Sequence, residues 1–305
     1  MRVFLAGASG AIGRPLTGAL LAAGHTVTAM TRSPHTAAGL EQLGASAVVA
    51  DAFDEPAVRT AIAAAEPDVL IHQLTAFPNR GGARAFAKGL EQTSRLRRET
   101  VPLMIDAAAE AGATRAVVQS IAFITRPDGS PVHDENAPLW TDAPDRTLAG
   151  PARAVADMER SVLDGPLEGI VLRYGFFYGP GTAWAPDGQF GAMIRRRLYP
   201  IIGDGQGRMS FVHVSDAVTA TVLAAEGGAP GVYNVCEPDP RPAAESITAA
   251  AEAAGAKPPR RIGTRVARLL PASLRHYGTT LPGNDSSKAR EVLGWAPAHR
   301  WPPGA

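Results

Sequence analysis

The chain has 305 residues, of which 45% are hydrophobic and 19% charged, enough apolar content to bury one large core or two fused ones. Thirty basic against twenty-nine acidic side chains leave a net charge of +1, which argues against a broad field for attracting nucleic acid or an anionic membrane. The single cysteine, Cys236 in GVYNVCEP, excludes an internal disulfide and reads as a small buried strand residue, as expected in a reducing cytoplasm.

From the N-terminus, short β-branched runs alternate with alanine-rich helical patterns. The first apolar run, VFLAG from Val3, stops at glycine, and no later run approaches the roughly 20 apolar residues of a membrane span. Neither a leader nor a membrane partner is expected. RVFLAG, HTVTAM, SAVVA, DVLIHQL and RAVVQS predict strands, and helices are predicted at about 12–23, 34–43, 55–64 and 89–111. Such alternation means an α/β fold with a doubly wound parallel sheet. The stretch LAGPARAVADMERSVL, from Leu148 to Leu163, predicts a further helix. GIVLRYGFFYG reads as one sixth strand, followed by a helix at about 192–198. Beyond Ser246 the pattern is mainly helical, which marks a smaller C-terminal lobe.

AGASGAIGRP places Gly7, Gly10 and Gly13 directly after the first strand and at the opening of the first helix. Glycine there allows a tight turn, close backbone approach to a pyrophosphate, and packing of helix on strand. A dinucleotide is the expected cofactor, held by Gly7, Ser9, Gly10, Ala11, Ile12 and Gly13. At the end of the second strand, TAMTRSP offers Arg32 and Ser33 with no acid, and a planar guanidinium suits a 2′-phosphate, so NADP(H) is favoured, with NAD possible. Asp51 and Ala52 in VVADAF stand where the adenine would lie; Asp51 either reaches the adenine or opens the next helix.

With those residues in view, GASGAIG, VLIHQLTA, RAVVQS, LRYGFFYGPG, SFVHVSDAV, GVYNV and SKAREVLGWAP together resemble the extended or atypical short-chain dehydrogenase/reductases of the NAD-dependent epimerase/dehydratase type. The resemblance implies a Rossmann domain over 1–175 and a substrate lobe over 176–305, with 207–240 returning to the Rossmann part. It places Leu74, Thr75, Ser120 and Tyr174 beside the cofactor. It also exposes departures. The family's Tyr-x-x-x-Lys falls on Pro151 and Val155, neither of which transfers a proton. The family's sugar-binding Asn falls on Phe176, and its phosphate-binding Arg on Met209. Phe77, Trp140 and Phe176 are therefore expected to wall a pocket for a flat, apolar molecule.

Hydride transfer is the cofactor's work, and the loss of general acid catalysis slows a reductase by about 100- to 10,000-fold without abolishing it. Tyr178 is the expected replacement donor, with Ser120 as the other candidate hydroxyl and Tyr174, His133 and Asp134 next; His213 reads as a core histidine. The resulting expectation is a cytoplasmic NADP(H)-dependent reductase of a small apolar or aromatic metabolite, monomeric or homodimeric, needing no metal and binding no nucleic acid. A protein resembling the NmrA-type redox sensors, or a non-redox isomerase or dehydratase on the same fold, stands as the alternative.

Overall fold

In the computed structural model, which describes residues 1–77 and 83–302, the β-branched runs become strands of one sheet. β1 (Arg2–Ala6), β2 (Thr26–Thr31), β3 (Ser46–Val49), β4 (Val69–His72) and β5 (Arg115–Ile121) alternate with α1 (Gly13–Ala22), α2 (Pro34–Glu41), α3 (Glu55–Ala65), α4 (Ala83–Arg95) and α5 (Val101–Glu110). A short strand β6 (Val132–His133) precedes α6 (Arg146–Leu163), which returns the chain to β7 (Glu168–Tyr174). Next come β8 (Phe176–Tyr178), α7 (Gln189–Arg195), β9 (Ile201–Ile202), β10 (Arg208–Met209), β11 (Phe211–His213), α8 (Val214–Glu226) and β12 (Gly231–Val235). The chain closes with β13 (Arg241–Pro242), α9 (Ala243–Ala253), β14 (Arg261–Ile262), α10 (Thr264–Ala267), α11 (Ala272–Thr279), β15 (Gly283–Asn284) and α12 (Ser287–Leu293).

The large sheet has the order β12-β7-β5-β4-β1-β2-β3 and every pairing is parallel. Helices cover both faces, so the central strands are apolar on both sides rather than alternating. One face packs Leu16 and Leu20 of α1 against Val218 of α8 and Trp295. The other packs Val58 and Ile62 of α3, Met104 and Ile105 of α5, and Met158 and Val162 of α6. Each such fully buried side chain contributes about 1.5–3 kcal/mol. The order of the strands reverses between β1 and β4, which opens a crevice outside their C-terminal ends.

Two elements differ from the sequence expectation. The helix expected over 89–111 is three pieces, α4, a π-helical turn at Leu96–Thr100, and α5. The break falls just before Pro102, which has no N–H to continue the ladder, and single π turns of this kind gather at functional sites. The strand expected over GIVLRYGFFYG is also interrupted. At Gly175 the backbone N–H donates to Val235 O, but the next residue, Phe176, donates to Ser210 O instead. β8 thus leaves the large sheet and pairs with β11. A Cβ at Gly175 would lie 2.4 Å from the Ser210 oxygen, so only glycine permits the crossing. Beyond it, Tyr178, Trp184, Phe211 and Trp301 form a third, aromatic core with Ile247 of α9.

Candidate active site

β1 ends at Ala6 and the chain turns at once into α1. Gly7 has φ +94°, and a Cβ there would stand 2.7 Å from the Gln73 carbonyl carbon; at Gly13 it would fall 2.0 Å from the Gly7 oxygen. A Cβ on Gly10 would meet only Gly7 O, at 3.5 Å, so here the missing side chain leaves room for a ligand. No side chain caps α1 and no acid stands in its first turn, which leaves its N–H groups and positive dipole end for an anion. The adjoining cleft encloses about 640 Å3, including solvent at its mouth, and is lined by Gly7, Ser9, Gly10, Arg32, Asp51, Ala52, Leu74 and Thr75 among others. Gln73, which the sequence reading passed over, also lines it, and Gln73 Oε1 is buried without a hydrogen-bond partner. A glycine cradle, an uncapped helix and an orphaned amide oxygen together fit a dinucleotide.

Other expected cofactor residues are spent elsewhere. Ile12 is the buried N-cap residue of α1. Ala11 is exposed, its Cβ 3.9 Å from where a Gly181 Cβ would be. Ser33 caps α2 by accepting from Thr36 N. Tyr174 is fully buried between α8 and the sheet, its hydroxyl 2.7 Å from Thr221 Oγ1 and accepting from Gln73 Nε2 at 3.3 Å. Burial pushes its phenol up to about 12. It braces a cleft residue from behind rather than facing the cleft.

The helix where the family keeps its acid and base is closed. Val155 has no exposed surface, and Pro151 interrupts the α6 ladder. Four residues after Val155, Glu159 accepts from Arg173 Nε at 2.8 Å and Nη2 at 2.6 Å and from Ser120 Oγ at 2.8 Å, all buried. Ser120 thus donates its hydroxyl proton to a buried carboxylate. Arg97, in the π turn, is 3% exposed and its Nη1 has no partner. Burial pulls its guanidinium down to about 10 against the upward pull of Glu159. Behind the missing Tyr–Lys pair, Arg173 is thus paired with a buried carboxylate, while Arg97 feels its charge without forming an ion pair with it.

Tyr178, the last residue of β8, lies in the aromatic core. It is 1% exposed, edge-on to Trp301, Phe211 and His213 in the aromatic core, and its hydroxyl has no hydrogen-bond partner. Burial, then the neighbouring Glu237 carboxylate, drives its phenol well above the ordinary value. It faces no cleft. His133 is held between Thr125 Oγ1 and Asp128 Oδ1, each at 3.0 Å, and Asp134 is occupied by Asn136. His213 accepts from Ser215 N as the cap of α8 and stacks on His299 with centroids 3.8 Å apart.

The three expected wall residues divide. Phe176 stacks on Phe123, with ring centroids 4.1 Å apart and planes 10° from parallel, and Tyr277 of α11 stands edge-on to both rings. Trp140 packs on His276, which neighbours Tyr277. These five rings form one aromatic cluster just past the ends of β5 and β7. Phe77 is instead 40% exposed and stacks on Phe86. The sequence reading missed Phe123 and Tyr277; Phe123 follows RAVVQSIA directly, and its place just past a central strand end was the available signal. Burial raises the Tyr277 phenol to about 12, so it stays protonated and able to donate.

A parallel sheet with a glycine-rich turn at its switch point and a cleft for a dinucleotide defines a Rossmann-type oxidoreductase. The profile of the NAD dependent epimerase/dehydratase family matches residues 3–236, and the chain belongs to that family as an NAD(P)-dependent enzyme. It is 46% identical over 302 residues, covering 98% of this chain and 97% of the relative, to a "3-diazoavenalumate denitrifying reductase" of Streptomyces sp. It is 31% identical over 264 residues (84% and 74%) to a "4-hydroxy-2-methyl-3-oxo-4-farnesyl-3,4-dihydroquinoline-1-oxide ketoreductase" of Stigmatella aurantiaca. Among solved structures it resembles MoeE5 in complex with UDP-glucuronic acid and NAD, with 25% identity, TM-score 0.74 and coverage of 100% and 96%.

Proposed function

We propose that the chain is an NADPH-dependent reductase of a flat aryl diazo compound. The observation that carries this is the closed α6: where the family protonates an alkoxide, this chain has Pro151 and a fully buried Val155. A ketone needs that proton as its oxygen becomes anionic, whereas a diazo carbon does not. Bound reduced nicotinamide supplies a hydride, and an aryl diazonium that takes it up forms a C–H bond while the C–N bond breaks and dinitrogen leaves. Charge and atoms then balance with no acid. The 46% relative, named for a denitrifying reduction of a diazo substrate, supports the same acceptor class.

The protein's part is to hold and align. The stacked pair of Phe123 and Phe176 offers an apolar wall against which a planar ring packs, and Tyr277 donates to a polar substituent on it. Phe176 in place of the family's Asn speaks against a sugar nucleotide. The test is NADPH consumption with an ortho-diazo phenol and, in parallel, with aryl ketones and enones. Deuterium from the labelled cofactor is expected on the carbon that lost nitrogen. Faster turnover of ketones than of the diazo compound, or tight NADPH binding with no turnover of either, overturns the reading.

A further inference from the structure

The near-zero net charge conceals a segregation. Residues 188–203 contain three arginines and no acid, and residues 253–284 contain six basic residues and no acid. Those two stretches hold nine of the thirty basic side chains, which leaves the rest of the chain at a net −8. They are also neighbours in space. β9 pairs with β14, Ile201 N donates to Arg260 O at 2.8 Å, and Arg197 Nε donates to Pro258 O at 2.9 Å. Arg195, Arg196, Arg260, Arg261, Arg265 and Arg268 are exposed, and among the described residues none forms an ion pair. Between them protrude Leu198 and Val266, each 58% exposed, and Leu269 at 86%.

We propose that this face docks on an anionic membrane surface, from which a lipophilic substrate passes to the aromatic cluster. Unpaired guanidiniums are drawn to an anionic leaflet within a Debye length, and projecting aliphatic side chains enter the interfacial region. Neither property alone selects a bilayer, but the combination does. Nucleic acid offers the leucines nothing, and a small anion steered to the active site would not need them. The studs stand out from the surface, the shape that suits a soft interface rather than a matching protein groove. The choice of arginine over lysine carries no weight, since the chain has three lysines in all.

The face also lies next to the aromatic cluster. Arg275 Nη1 of α11 donates to Arg268 O at 3.1 Å, and two residues further along α11, Tyr277 points its ring at Phe123 and Phe176. The same short helix thus joins the basic face to the substrate wall. The 31% relative is named for a farnesyl-bearing substrate, a kind of molecule that partitions into lipid. This inference goes beyond the reductase reading and its readout involves no turnover, so either can fail without the other.

The test is sedimentation of the full chain with vesicles of phosphatidylcholine containing about 30% phosphatidylglycerol, against pure phosphatidylcholine, at about 0.05 M and about 0.5 M salt. Binding to the anionic vesicles is expected, at least about tenfold weaker on neutral vesicles or at high salt. The combined variant Arg265→Ser, Arg268→Ser, Arg261→Ser should lose about tenfold or more in partitioning. Leu269→Ser, with every arginine kept, should also weaken binding, which a purely ionic attraction would not predict. All four positions are exposed, and unchanged circular dichroism and NADPH affinity confirm an intact fold. No binding of the wild type to anionic vesicles overturns the proposal, as does binding that the arginine variant retains in full; an acidic protein found on the face in that case takes the membrane's place.

Discussion

Arg32 stands exposed at the end of β2, on the wall of the dinucleotide cleft, with Asp51 on the same wall. If the guanidinium holds a 2′-phosphate, Arg32→Ala should weaken NADPH by about 1.5–3 kcal/mol, the scale of a charge-assisted hydrogen bond, and leave NADH unchanged. Titrating both reduced cofactors into wild type and variant measures this; equal wild-type affinity for the two would sink it. Tyr178 gives the opposite expectation. Its hydroxyl is buried beside the Glu237 carboxylate, away from the cofactor cleft, so in Tyr178→Phe the rate per folded molecule should stay within about twofold, and any change should appear in the melting temperature. A large fall in kcat would restore it to the active site. Tyr277→Phe, by contrast, should raise KM for a substrate with a polar ring substituent about tenfold, the worth of one hydrogen bond. The sequence favoured Tyr178 because it lies just past a central strand, but it could not show that the chain changes sheets at Gly175 and turns that side chain into the aromatic core.

The α6 helix shows what a single element conveys in sequence and what it withholds. Its span was legible, since Leu148–Leu163 lies within the observed Arg146–Leu163, and so was the absence of Tyr and Lys. What took their place was not legible, because Ser120 of β5 and Arg173 of β7 meet Glu159 of α6 only in three dimensions. Removing the carboxylate's charge leaves Arg173 buried without its counter-ion, so Glu159→Gln should destabilise the fold by about 3–5 kcal/mol in chemical denaturation. A loss below about 1 kcal/mol would mean that water already reaches this guanidinium. The π turn was illegible for a related reason: the 3.6-residue pattern runs through 89–111, and the shift in hydrogen bonding leaves no mark on hydrophobic spacing.

At the scale of the whole molecule, two buried histidines set a pH limit on stability. His72 is held down to about 4 by burial, assisted by the nearby Arg97 cation, and His276 to about 4 by burial. Both stay neutral when folded and gain a proton on unfolding below the ordinary imidazole value of about 6.5. Between those values the unfolded chain binds more protons, so stability falls as pH falls, by up to about 1.4 kcal/mol per pH unit for each imidazole. Denaturation midpoints should drop from about pH 7 to about pH 5, and His276→Gln should flatten that slope; a midpoint that holds steady counts against both assignments. Whole-chain composition was less informative than it looked. The alternation of strand and helix carried the fold, but net charge is a sum, and a sum of +1 hid a basic face balanced by an acidic remainder.

The crossing at Gly175 has a consequence for how such a chain diversifies. A polypeptide that changes sheets at one residue has a seam, and the seam here separates two kinds of work. The cleft and its glycine turn are complete before it, while Phe176, Tyr277 and the arginine-rich face all come after. Loops beyond the seam are free to be lengthened, exchanged or recharged while the strands that hold the cofactor keep their register. Grafting residues 176–302 of a relative behind this chain's first 175 is then the natural way to change the acceptor and keep the hydride donor, provided that Ser210, against which the glycine passes, is carried along with the graft.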